Sequence, residues 1–124
     1  MWKIEYERIV PWLDEQDDET IASIFAVLEM LEWEGPNLGR PLVDTLSGTN
    51  VSNLKELRPA STGNSEVRIL FAFDPKRKAI LLIGGDKASG KSGKRKWSKW
   101  YRKAIPQAER LWFEHLNQLG EDDG

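Results

Sequence analysis

No cysteine occurs among the 124 residues, so the chain has no disulfide framework, no thiolate nucleophile and no cysteine metal site. That suits a reducing, cytoplasmic setting. Histidine is nearly as scarce. His115 is the single one, and without partners of its kind it cannot assemble a zinc or other transition-metal cluster. Neither a metal nor an organic cofactor is expected. Long apolar runs are missing too. No stretch approaches the roughly 20 apolar residues of a membrane span, and no basic start followed by an apolar run marks a secretory signal. A cytoplasmic protein without membrane contact is the expectation.

What is present is an ordinary globular composition, 40% hydrophobic and 31% charged. The length fits one domain, expected over residues 1–119, with a frayed acidic tail over 120–124. The formal net charge of −2 conceals a segregation of sign. Residues 1–34 carry two bases and ten acids, whereas residues 55–110 carry fifteen bases and five acids. Salt limits the reach of each charge to about 10 Å, so the basic half attracts polyanions locally whatever the overall balance.

Trp2–Ile9 alternates apolar and polar residues as a strand does, up to Pro11. Acids from Asp14 to Glu19 then crowd a helix start, where they suit the positive end of the helix dipole. Ile21, Ile24, Phe25, Leu28 and Leu31 recur at helical spacing, and Gly35-Pro36 supplies the stop. Residues 35–53 read as a long connection. Three strands follow, Leu54–Pro59, Glu66–Asp74 and Ala79–Gly84, joined by short turns that favour antiparallel pairing. A Gly/Ser/Lys loop over 85–96 leads into a final helix from Trp97 to Leu119, which Pro106 either kinks or divides. The order β-α-β-β-β-α predicts an α+β domain. Its small, mainly antiparallel sheet carries a long N-terminal helix on one face, and the other face is left open beside a C-terminal helix.

The strand alternation places Leu57 on the core side and Glu56 and Arg58 on the other. Arg68 falls on that same outer side, because Val67, Ile69, Phe71 and Phe73 take the core side. A carboxylate beside two guanidiniums suits phosphodiester chemistry. The carboxylate can take a proton from a ribose 2′-hydroxyl, and the guanidiniums can stabilise charge on the phosphorane. The plainer alternative is a solvated cross-strand ion pair. The stretch from Lys87 to Lys103 holds Lys87, Lys91, Lys94, Arg95, Lys96, Lys99, Arg102 and Lys103 with no acid, interleaved with Trp97, Trp100 and Tyr101. Bases neutralise phosphates and aromatic faces stack on unpaired bases, so this stretch is a candidate RNA surface. Its alternative is a solvated helix face with the aromatics turned inward. Gly85–Ser92 satisfies the phosphate-loop pattern G-x-x-x-x-G-K-[ST]. The hairpin-linked strands before it and the short chain after it argue against that nucleotide-binding fold. His115 reads as a partly exposed packing residue rather than a general base.

Leu54-Lys55-Glu56-Leu57-Arg58, a glycine-containing turn and Glu66-Val67-Arg68-Ile69-Leu70-Phe71 resemble the paired strands of the RelE/HigB toxins, in particular the phage Gp49-like branch. The apolar strand, the basic loop and the closing helix with Ala104-Ile105-Pro106-Gln107-Ala108 continue the resemblance over nearly the whole chain. It implies a RelE-like fold and the toxin of a toxin–antitoxin pair. Such a toxin is a metal-independent endoribonuclease that cuts ribosome-bound mRNA by 2′-hydroxyl attack. It also implies a cognate antitoxin, usually carrying a helix-turn-helix domain. By position the resemblance assigns catalysis to Arg68, Arg58, Glu56, Lys87 and Tyr101, while the basic and aromatic stretch itself offers Lys91, Lys94, Arg95, Lys96, Lys99, Trp100 and Arg102 for RNA contact. Where many members carry a histidine, this chain has Gly84-Gly85-Asp86-Lys87, so the general acid and base stay open. A ParE-like toxin that inhibits a topoisomerase and a non-catalytic nucleic-acid-binding module are the rival readings.

Overall fold

The computed structural model describes residues 1–61, 63, 65–88 and 94–123. Its regular elements are β1 (Lys3–Glu5), α1 (Val10–Leu13), α2 (Asp18–Glu34), β2 (Val43–Thr45), β3 (Lys55–Leu57), β4 (Val67–Phe73), β5 (Lys78–Asp86) and α3 (Lys94–Asp123). The class is α+β. The five strands form one mixed sheet in the order β1-β5-β4-β3-β2. The antiparallel pairs run from β5 to β2, and β1 closes the other edge parallel to β5.

The β4–β5 hairpin is the spine. Both strands are rich in branched and aromatic residues, which fit a pleated surface. Asp74 organises the turn between them. Its Oδ1 accepts the backbone N–H groups of Lys76 and Lys78 at 2.9 and 3.0 Å. His115 Nε2 lies 2.8 Å from the other oxygen of Asp74. This histidine is buried, not partly exposed as its place in the sequence led one to expect, and it ties the far end of α3 to the turn.

Residues alternate between two cores. Val67, Ile69, Phe71, Ala79 and Leu81 meet Ile24, Val27, Leu28 and Leu31 of α2. Leu70, Ala72, Ile80 and Leu82 meet Ala104, Ala108 and Trp112 of α3. Each fully buried valine, leucine, isoleucine or phenylalanine among them contributes about 1.5–3 kcal/mol. The sheet therefore has no open face, contrary to the expectation from element order. The apolar run in β5 supplies side chains to both sides, and such a strand needs cover on both.

Leu70 pairs with Ile83 and Phe71 with Leu81, so Leu82 is an extra residue in β5. This bulge resets the alternation and sends Gly84 and Gly85 to opposite faces. Trp12 lies over Gly84, where a Cβ would stand 2.2 Å from its ring. Trp100 lies over Gly85, where a Cβ would stand 2.5 Å from its Nε1. Only glycine admits either indole this close.

Other details depart from the sequence reading. The first strand stops at Glu5, and Glu7–Ile9 and α1 are short helical turns. The N-terminal helical region is thus several pieces, of which α2 has 17 residues, and the longest helix is the 30-residue α3. Pro106 lies inside α3 without ending it. Strand β2 was not foreseen. α2 starts where expected, because Asp17 caps it by accepting the Thr20 N–H at 2.8 Å, and the Thr20 side chain, followed by that backbone bond, holds the Asp17 carboxyl below its ordinary pKa. Among the described residues no helix is long and apolar enough to cross a membrane.

Candidate active site

In the β3–β4 pair Leu57 faces Ile69 and Glu56 faces Leu70. Leu57 and Ile69 point to α2, so the alternation turns Glu56, Arg58 and Arg68 toward α3. From α3, Tyr101 reaches back to meet them.

Glu56 is the hub, with only 3% of its side chain exposed. Its Oε2 accepts from Arg58 Nη2 at 2.9 Å and from Arg58 Nε at 3.2 Å. Its Oε1 accepts from the Tyr101 hydroxyl. Arg68 Nε lies 3.6 Å from the same Oε1, an ion-pair distance rather than a hydrogen bond. Arg68 is 12% exposed, and its Nη1 donates to the Val67 carbonyl at 2.7 Å. Its Nε is buried with no hydrogen-bond partner among the described residues. Arg58, at 29% exposure, also reaches Asp44 Oδ2 at 3.1 Å, and Asp44 accepts from Arg40 at 3.0 Å. The Arg40 hydrogen bond holds the Asp44 carboxyl below its usual pKa. Burial works against the Arg58 charge, but the Glu56 hydrogen bond and the charges of Glu56 and Asp44 outweigh it and raise its pKa.

Lys87 enters from the end of β5. Its backbone N–H donates to the Glu66 carbonyl at 3.0 Å. Asp86 Oδ1 accepts the N–H groups of Glu66 and Ala88 at 2.8 and 2.9 Å, fixing the chain on both sides of Lys87. The ammonium sits 5.9 Å from the centroid of the Tyr101 ring. Desolvation, and then the positive charge of Arg68, push the Lys87 pKa below its ordinary value. Tyr101 moves the other way. Burial and the hydrogen bond to Glu56 push its hydroxyl up, so it keeps its proton.

Glu56, Arg58, Arg68, Lys87 and Tyr101 thus come together in one cluster. The residues assigned to RNA contact are more scattered. Lys99 and Arg102 are exposed on α3, and Trp100 is half-buried over Gly85. Lys94, Arg95 and Lys96 form the first turn of α3, with side chains outside the described residues, and Lys91 lies outside them altogether. Gly85 and Asp86 of the phosphate-loop pattern belong to β5, paired with Arg68 and Val67. Its end, from Ser89 to Ser92, is outside the described residues. Sequence reasoning missed Asp44 and Asp86. Asp44 had one signal, a base four residues earlier at Arg40; Asp86 had none. Among the described residues no group of three or more histidine, aspartate or glutamate side chains is placed to hold a metal ion.

Two guanidiniums and one ammonium therefore surround a carboxylate already saturated with donors. The arrangement can hold an anion that spreads charge over several oxygens, such as a phosphate.

Residues 11–112 match the family model described as phage-derived protein Gp49-like. Over 118 residues the chain is 51% identical to the Mycobacterium tuberculosis protein named "Putative toxin HigB2". That match covers 95% of this chain and 56% of the relative, so the chain spans little more than half of the relative's length. It is 46% identical over 102 residues to "Putative toxin HigB3" of the same organism, covering 82% of each.

Proposed function

The chain belongs to the Gp49-like family of phage-derived proteins, with HigB-type toxins among its relatives, and from that premise we propose that it is the RNA-cutting toxin of a toxin–antitoxin pair. One observation carries the reading: buried Glu56 gathers Arg58, Arg68 and Tyr101, with Lys87 beside the Tyr101 ring.

In the proposed reaction the ribose 2′-oxygen attacks the adjacent phosphorus as its proton leaves. The bond from phosphorus to the 5′-oxygen breaks, and that oxygen takes up a proton. The products are a 2′,3′-cyclic phosphate and a 5′-hydroxyl, and no water is consumed. Arg58 and Arg68 stabilise the charge on the phosphorane. Losing one such donor typically costs 10²–10³-fold in rate. Glu56 does not act as the base that the sequence pattern offered, because burial and its bonds to Arg58 and Tyr101 occupy it. It holds the guanidiniums in place before substrate arrives. Lys87, with its lowered pKa, is the group suited to proton transfer. The substrate is mRNA on the ribosome, the setting is the cytoplasm, and a helix-turn-helix antitoxin is the partner.

Induction in a bacterial host tests this. Growth should stop, and messages should acquire internal 5′-hydroxyl ends. Arg68→Ala, verified as folded, should abolish them. DNA damage with intact messages selects the topoisomerase reading instead, and RNA binding without growth arrest selects the non-catalytic one.

A further inference from the structure

Where β4 and β5 stop pairing, a side chain takes over. The ladder ends at Val67 opposite Asp86. One residue further out, the Glu66 N–H donates to Asp86 Oδ1 at 2.8 Å. The same oxygen accepts the Ala88 N–H at 2.9 Å, and the Lys87 N–H returns to the Glu66 carbonyl at 3.0 Å. Three hydrogen bonds thus close around Glu66 and Lys87, and two of them end on one oxygen of Asp86.

This end of the hairpin carries two cations. Arg68 lies on β4 opposite Gly85, and Lys87 follows directly on β5. Lys87 is half-buried, and its ammonium is disfavoured there first by desolvation and then by the Arg68 charge. Its four-carbon stem is flexible and its head group strongly hydrated, so an unrestrained Lys87 would turn out to water. The backbone beneath it is where it can be held. The Lys87 and Ala88 N–H groups are both taken, so they cannot join a cradle of backbone amides around a phosphate. The opening Gly85-Asp86-Lys87 of the phosphate-loop pattern is left to meet a phosphate through the Lys87 side chain.

We propose that Asp86 is a positioning residue for cleavage. By tying the chain on both sides of Lys87 to the start of β4, it keeps that ammonium near Arg68 and over the Tyr101 ring. This rests on the cleavage reading above and adds to it a residue that touches no substrate. What Asp86 supplies is an acceptor oxygen in the right place. Its charge is secondary.

Two variants separate place from charge. Asp86→Asn keeps the oxygen and drops the charge. Asp86→Glu keeps the charge and moves the oxygen by one methylene. Single-turnover cutting of message on ribosomes is followed across pH with each purified full-length protein. The groups facing Lys87 are Arg68 and Glu66 at β4, Glu56 and Arg58 at β3, and Tyr101 on α3. All are kept, so a displaced pH profile reports a displaced Lys87. Asp86→Asn should cut at nearly the wild-type rate with the wild-type profile. Asp86→Glu should lose up to about 100-fold in rate, the cost of misplacing a catalytic group by about 1 Å. Its rise with pH should move up toward that of an ordinary lysine. Amide hydrogen exchange at Glu66 and Ala88 should stay slow in Asp86→Asn and quicken in Asp86→Glu.

A slow Asp86→Asn overturns the proposal. So does an Asp86→Glu that keeps the wild-type rate and profile, even if it melts earlier, because the aspartate is then merely structural. Either result leaves the cleavage reading standing as long as wild type cuts. If the two amides exchange as expected but wild type cuts no message, the cleavage reading falls and takes the positioning role with it.

Discussion

The Tyr101 hydroxyl donates to the oxygen of Glu56 that Arg68 approaches at 3.6 Å. A side chain from the last helix thus sets the electrostatics of a strand pair more than forty residues earlier in the chain. Tyr101→Phe should cost about 1–2 kcal/mol, the range for one buried hydrogen bond, and leave cutting within an order of magnitude. Glu56→Gln should cost about 3–5 kcal/mol, because it leaves Arg58 and Arg68 without their shared counter-charge. Urea denaturation of the three proteins measures both. Equal midpoints for wild type and Glu56→Gln contradict the hub.

Lys87 should set the pH profile. Its folded pKa lies below the ordinary lysine value, so the neutral amine needed to accept a proton becomes available at lower pH than for a free lysine. Cutting should rise with pH and level off below that ordinary value, and Lys87→Arg should flatten the rise. The stability linkage has the same sense. Between the folded and unfolded pKa values the unfolded chain binds more protons, so stability rises with pH through that window. Cleavage rates from pH 6 to 10 check the first statement, and a profile unchanged in Lys87→Arg rejects it.

Gly84→Ala and Gly85→Ala should each destabilise by about 1–3 kcal/mol, since a Cβ at either position collides with an indole. Their functional effects should differ. Gly85→Ala displaces Trp100, whose ring contacts Tyr101 at 5.0 Å between centroids, so cutting should fall as well. Gly84→Ala presses on Trp12, on the far face, and should spare cutting per folded molecule. Melting curves beside single-turnover rates separate the two.

His115→Ala should lower stability by about 1–3 kcal/mol, by orphaning one oxygen of buried Asp74. Cutting by the folded fraction should not change. A specific loss of activity at unchanged stability is the result that would reinstate the histidine as a catalyst.

The central hairpin and the shared side of Glu56, Arg58 and Arg68 were legible because strand alternation has a period of two. The burial of Glu56 was not, since its partners come from α3 and from Asp44 on β2, a strand of three residues inside a Gly/Pro/Ser-rich stretch. The Leu82 bulge was also hidden, as nothing local distinguishes the extra residue from its apolar neighbours. The covered second face was legible in retrospect. Ala104, Ala108 and Trp112 recur at helical spacing, and β5 is apolar on both sides.

Strand β1 is held parallel to β5, which follows it by more than seventy residues, Lys3 pairing with Lys78. Parallel neighbours so far apart in the chain pair only after the intervening segments exist. Tyr101 lies later still in the chain. A folding chain therefore has neither a closed sheet edge nor an assembled cluster until both β5 and α3 are in place.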